Sequence, residues 1–314
     1  MATKVREILL ATFVVMLCVG CGGARRKVQA VSDAQPAVKE FRLPEPPPSL
    51  QGEAALEYVR EHLWENFDFA DTVQLATLNR EQVMRAFLIY VNTIPRGQEA
   101  QYMKALMQRA TSSKPMFDYF FTLAERVLHD PNSPMRNDEL YIPTLEVALA
   151  SGYWDEYERL PYESDLRIAM QNRVGHRAND FSYTTSDGKT RRMWSIAAKY
   201  TLIFISNPGC EMCRNVKEQI LFSPILTPLI ASGTLCVLVV YPDEDLTLWR
   251  EHLADYPKEW INAYDKGCVL ERENLYDLKA IPALYLLDEQ KRVLAKDCTN
   301  VSYIENLIEK NDDL

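Results

Sequence analysis

Between positions 51 and 172, apolar residues recur every three or four places, with almost no strand-like alternation. That spacing predicts amphipathic helices, because such residues share one helical face. The stretch 53–66 sets Ala54, Leu56, Val59, Leu63 and Trp64 mostly on one stripe, and 80–94 repeats this with Val83, Phe87, Tyr90, Val91 and Ile94. Further helices are expected over 98–110, 115–128, 138–150 and 155–172, the last bent or split by Pro161. Pro95-Arg96-Gly97, Thr111-Ser112-Ser113 and Asp130-Pro131-Asn132-Ser133-Pro134 separate them. The expectation over 51–172 is an all-α domain of five to seven helices. Trp64, Phe67, Phe69, Phe117, Tyr119, Phe120 and Phe121 should fill its core rather than line a ligand pocket. His62 and His129 stand apart in sequence and read as surface or structural histidines.

From 174 onward the pattern changes. Strands are expected at 181–185 and 190–194, joined by a turn at Ser186-Asp187-Gly188-Lys189. Tyr200-Thr201-Leu202-Ile203-Phe204-Ile205 and Thr234-Leu235-Cys236-Val237-Leu238-Val239-Val240-Tyr241 are nearly unbroken apolar runs, as in strands buried on both faces. An amphipathic stretch covers 245–253, a short strand is expected within 261–270, and a helical turn at 273–279. A hairpin of 283–287 and 292–295 and a closing helix at 301–310 follow. The order, βαβ with a crossover and then ββα, predicts an α/β domain over 174–314 with a mixed sheet between helices.

The candidate chemistry lies in Asn207-Pro208-Gly209-Cys210-Glu211-Met212-Cys213-Arg214. It follows a buried strand and precedes Val216, Gln219, Ile220 and Phe222 at roughly helical spacing. The junction exposes unpaired N–H groups and the positive end of a helix dipole, which favour an anion. Cys210 is therefore expected to be the nucleophile, with Cys213 one turn inward as its resolving partner. Half a zinc site or an inert structural disulfide would also use this spacing. Zinc needs two more ligands, usually a second close pair, and the other cysteines and the four histidines are scattered. No metal or other cofactor is expected.

Residues 1–21 read as an export signal, with Lys4 and Arg6 ahead of an apolar core from Ile8 to Leu17. The stretch is short for a membrane span. Its end, Cys18-Val19-Gly20-Cys21, resembles the lipobox of bacterial lipoproteins and implies a lipid anchor on Cys21, although Cys18 stands where leucine is usual. An ordinary cleaved signal or a retained anchor is the alternative. Residues 22–50 read as a Pro-rich tether, ending in Pro44-Glu45-Pro46-Pro47-Pro48. The expected location is the periplasm, where disulfides are permitted. A net charge of −9 without a basic patch argues against nucleic acid as a partner.

The cysteine pair after the first buried strand, with Ile281-Pro282 opening the later hairpin, resembles the membrane-tethered thioredoxin-like proteins of the TlpA and ResA type. The resemblance covers about 174–314 and implies a thioredoxin fold and thiol–disulfide exchange. It makes Pro282 the family's cis-proline facing the active-site sulfurs, with the backbone of Ile281 binding extended substrate. The helical domain resembles an uncharacterised region of Gram-negative lipoproteins, which implies no mechanism.

Three departures matter. Gly209 precedes the first cysteine where the family often has tryptophan, and Phe204 occupies the position of thioredoxin's buried aspartate. The intervening dipeptide is Glu211-Met212 rather than Gly-Pro, so Glu211 and Arg214 become the candidate tuners of the redox pair. Without the aspartate no base for Cys213 is obvious; Glu218 on the following helix is a candidate. Cys236 reads as a buried small hydrophobe, whereas Cys268 and Cys298 could bridge, or Cys268 serve as a further redox thiol.

Two function classes remain. One is a tethered thiol–disulfide oxidoreductase acting on disulfide-bearing extracytoplasmic proteins and re-reduced by a membrane electron donor. The other is a binding lipoprotein whose helical domain docks a partner while the cysteines are structural. A thiol peroxidase is disfavoured by Asn207, which replaces the usual threonine three residues before the reactive cysteine.

Overall fold

The structure, a computed structural model, describes residues 41–312. The expected signal, Cys21 and most of the expected tether lie outside the described residues. Seven helices come first: α1 Glu53–His62, α2 Gln74–Thr77, α3 Arg80–Thr93, α4 Glu99–Ala110, α5 Lys114–Leu128, α6 Asp138–Ala150 and α7 Glu156–Ala169. Polar caps set their starts. The side chains of Asn79, Ser113 and Asn137 accept first-turn N–H groups, and Asp155 with Glu158 forms a capping box at α7. Pro161 does not split α7 as expected. It removes only the bond to the Tyr157 carbonyl, and the helix runs on through it.

The expected aromatic core is present, with α5 at its centre. Trp64, Phe67, Phe69, Phe117, Phe120 and Phe121 are buried and Tyr119 is half-buried. Phe120 meets Trp64 and Phe67 edge-on at ring separations of 5.4 Å each, the favoured aromatic geometry. Phe41 stacks on Trp64 at 5.6 Å, so this end of the expected tether lies against the helical core.

The second half contains β1 Ser182–Thr185, β2 Thr190–Arg192, β3 Tyr200–Ile205, α8 Glu211–Phe222, α9 Leu226–Ala231, β4 Leu235–Tyr241, α10 Leu246–Glu251, β5 Ile261–Tyr264, α11 Val269–Arg272, β6 Ala283–Leu287, β7 Val293–Cys298 and α12 Val301–Asp312. The sheet order is β2-β1-β5-β4-β3-β6-β7. β3 pairs parallel with β4 and antiparallel with β6, giving the expected mixed sheet. Alternation along β3 sends Leu202 and Phe204 toward Val216, Ile220 and Ile304, and Ile203 and Ile205 toward Phe181 and Tyr276.

Local expectations fail where a polar contact overrides spacing. The strand expected at 190–194 stops at Arg192, and a 3₁₀ turn buries Met193 and lets Trp194 Nε1 donate to the Ala178 carbonyl. The helical turn expected at 273–279 falls instead at α11, where Asp265 Oδ2 accepts the Leu270 N–H. The 273–279 stretch is pinned by Asn172 and Asn179, which both donate to the Leu275 carbonyl. Phe222, expected on the apolar stripe of α8, is exposed, because the buried face is Cys213, Val216 and Ile220.

The two halves meet across ion pairs. Arg136 reaches Asp277 and Asp297, each at 2.6 Å, and Lys296 pairs with Asp138 at 2.7 Å. Lys279 pairs with Asp165 at 2.5 Å and contacts His129 at 3.1 Å. His129, expected to be a surface or structural histidine, belongs to this junction and also stacks on Tyr141.

Candidate active site

β3 delivers the chain to Ser206, and a short turn follows before α8. Gly209 takes a left-handed φ of 76°, a conformation that a side chain would strain. Asn207 ties the turn down by donating from Nδ2 to Asp243 Oδ2 at 2.8 Å. Cys210 then caps α8, its sulfur accepting the Cys213 N–H at 3.2 Å. The helix thus begins at Glu211, before the second cysteine.

The two thiols occupy different surroundings. Cys210 is half-buried, and its Sγ lies 3.9 Å from the Ile281 carbonyl, to which the thiol donates. The following Ile281-Pro282 peptide is cis. Cys213 is only 2% exposed. Burial, reinforced by Cys210, pushes its thiol up to about 12. Hydrogen bonds from the Ser206 hydroxyl and the Asn207 backbone pull the other way.

Glu211 and Arg214 are exposed, so water screens both candidate tuners. Glu218 is also exposed, on a different face of α8 from Cys213, and cannot serve as its base. The polar group beside Cys213 is instead Ser206, buried and 2.8 Å from the Tyr256 hydroxyl. Phe204, at the position of the missing aspartate, is fully buried with its ring 6.5 Å from that of Tyr256. Lys217 covers the Tyr256 ring at 5.3 Å and donates to the Asp255 carbonyl. Ser206 carried a weak signal as the first polar residue after the apolar run. Tyr256 carried none.

The remaining described cysteines offer no second pair. Cys268 follows β5 and Cys298 ends β7, four strand positions apart in the sheet, or about 19 Å at the usual spacing. A bridge needs Cα atoms within about 7 Å. Burial raises both thiols, Cys298 to about 12, and acidic neighbours including Glu244 and Asp265 add to the rise at Cys268. Cys236, half-buried in β4, is also raised by burial. Among the described residues no cluster of three or more potential metal ligands occurs, and no helix is long and apolar enough to cross a membrane.

Comparison with known proteins adds the following. Residues 20–172 match the family described as Domain of unknown function (DUF5106). A crystal structure of a thioredoxin-like protein from Bacteroides caccae is 40% identical, with a TM-score of 0.81, covering 87% of this chain and 99% of that one. The C-terminal domain of an uncharacterized Bacteroides fragilis protein is 44% identical over 44% of this chain and 98% of its own, with a TM-score of 0.43. No curated protein matches. The B. caccae relative aligns across both halves and over almost its whole length, and on that ground this chain belongs to the thioredoxin-like proteins.

Proposed function

We propose that this protein is a thiol–disulfide oxidoreductase of the TlpA and ResA type, acting on disulfide-bearing proteins outside the cytoplasm while held to a membrane through lipid on Cys21. The observation carrying this reading is the pairing of a half-buried Cys210 at a helix N-terminus with a buried Cys213 behind it, opposite the Ile281 carbonyl. The Cys213 N–H already points at the Cys210 sulfur and is placed to stabilise a thiolate there. Extended substrate would lie along the Ile281 backbone, over Pro282. The Cys210 thiolate attacks one substrate sulfur, and the other leaves as a thiolate and takes a proton from water. Cys213 then attacks Cys210 Sγ, closing the Cys210–Cys213 disulfide and releasing the second substrate thiol. A membrane electron donor returns two electrons to the pair.

The test is trapping. Cys213→Ser should hold client proteins as mixed disulfides that dithiothreitol releases, whereas Cys210→Ser should hold none. Equal trapping by both variants, or by neither, would refute the assignment.

A further inference from the structure

The resolving step needs the Cys213 proton removed from a buried site, and Phe204 stands where an acid would be expected to do it. Ser206 and Tyr256 occupy that place. Ser206 extends β3 by one residue, two positions after Phe204 and so on the face that packs against Cys213, with its side chain buried and hydrogen-bonded at 2.8 Å to Tyr256. Tyr256 is half-buried, so part of this pair lies within reach of solvent. We propose that Ser206 is a catalytic residue of the resolving step, donating a hydrogen bond to Cys213 as its thiolate forms, and that Tyr256 is the positioning residue that aims it.

This rests on the oxidoreductase reading. Either hydroxyl of the pair can donate to the other: Ser206 donates to Tyr256 while Cys213 is a thiol, and once the thiolate has formed Tyr256 donates to Ser206, whose proton then points at the sulfur. The Cys213 proton passes to Ser206 Oγ as the Ser206 proton passes to the Tyr256 oxygen, whose own proton goes to water. One proton therefore leaves Cys213 for solvent, and both hydroxyls are restored. The thiolate attacks Cys210 Sγ, and the electron pair of the broken mixed disulfide departs on the substrate sulfur, which takes a proton from water. The groups facing this path are Cys210 on α8, the Asn207 backbone after β3, and Asp255 and Lys217 around Tyr256. Asp255 works against a negative charge on Tyr256, so the phenol passes the proton on and does not store the charge.

The experiment uses the full chain, reduced and then mixed with excess dithiobis(nitrobenzoate). Attack by Cys210 releases the first thionitrobenzoate, and resolution by Cys213 releases the second. Ser206→Ala should leave the first phase at its wild-type rate and slow the second about tenfold, the weight of one hydrogen bond to a charged acceptor. The second phase should also need higher pH. Tyr256→Phe, which keeps the ring against Phe204 and Lys217, should slow the second phase roughly threefold, about half that free-energy effect, and Ser206→Thr should restore most of it. A wild-type second phase in both Ser206→Ala and Tyr256→Phe would overturn the proposal and leave the oxidoreductase reading standing. No second phase in the wild-type protein, with the first intact, would overturn both.

Discussion

The helical half and the sheet half are both well packed, but they spend their polar residues differently. In α1–α7 the interior is aromatic and aliphatic, and side-chain hydrogen bonds mainly cap helices or hold loops. In the sheet half, Ser206, Asn207 and both thiols gather where β3 ends, beside the carboxyl end of its parallel neighbour β4. That is the end of a parallel sheet where strand polarity and helix N-termini leave room for a site. The helical half thus spends its interior on packing, while the candidate chemistry gathers at one strand end. Contact between the two runs through 275–279, just ahead of Ile281, by way of Asn172, Arg136, Asp165 and His129, and through Lys296 and Asp297 of β7, which meet Asp138 and Arg136.

The largest effect is expected at Arg136, which joins the two halves. Arg136→Leu leaves Asp277 and Asp297 without their shared cation, and removing one partner of a buried ionic group costs about 3–5 kcal/mol. Calorimetry should then show two separated transitions where the wild type melts as one. Phe120→Ala should cost a similar amount, about 3–5 kcal/mol, but drawn from the helical half. The rate of thiol release by the folded variant should stay unchanged.

Next in size is the pH dependence. Burial, with Asp277 and Asp138 nearby, raises Asp297 to about 7 against the pull of Arg136. The folded state therefore holds a proton that the unfolded chain gives up near pH 4. The associated stability is present below about pH 4 and is lost as pH rises toward 7. Melting temperature should fall between pH 5 and pH 8, values spanning most of that window, and Asp297→Asn should flatten the fall.

A subtler cut is Lys279→Met, which removes the contacts to Asp165 and His129 two residues before Ile281. We expect KM for a protein disulfide to rise about three- to fivefold, near the weight of a partly exposed ion pair, with kcat held. The smallest effect concerns the redox potential. Glu211 beside Cys210 favours the disulfide over the dithiol, but its exposure limits the bias, and 1.4 kcal/mol is only about 30 mV. Equilibration with glutathione buffers should place the pair nearer about −270 mV than the −120 mV or so of a strong oxidant.

Strand, cysteine pair and helix were legible because each is set by neighbouring residues: an unbroken apolar run, a glycine turn, and an i, i+3, i+7 face of Cys213, Val216 and Ile220. The hairpin was legible for the same reason, whereas the cis Ile281-Pro282 bond was expected only from the family resemblance. Contacts between distant residues were not. Ser206 meets Tyr256 across 50 residues, and Arg136 meets Asp277 across 141. No local spacing encodes either pair. Glu218 misled because nearness in sequence places it on the same helix as Cys213 but on another face. The 3₁₀ turn at Met193 escaped because its cause, the Trp194 bond to Ala178, lies in a preceding loop.

The most direct measurement is insulin reduction by the full chain with dithiothreitol as electron source. Wild-type protein should accelerate insulin precipitation well above the dithiothreitol background, and Cys210→Ser should return it to that background. A wild-type protein no faster than background, or a Cys210→Ser variant as fast as wild type, would contradict the assignment of disulfide exchange to Cys210 and Cys213.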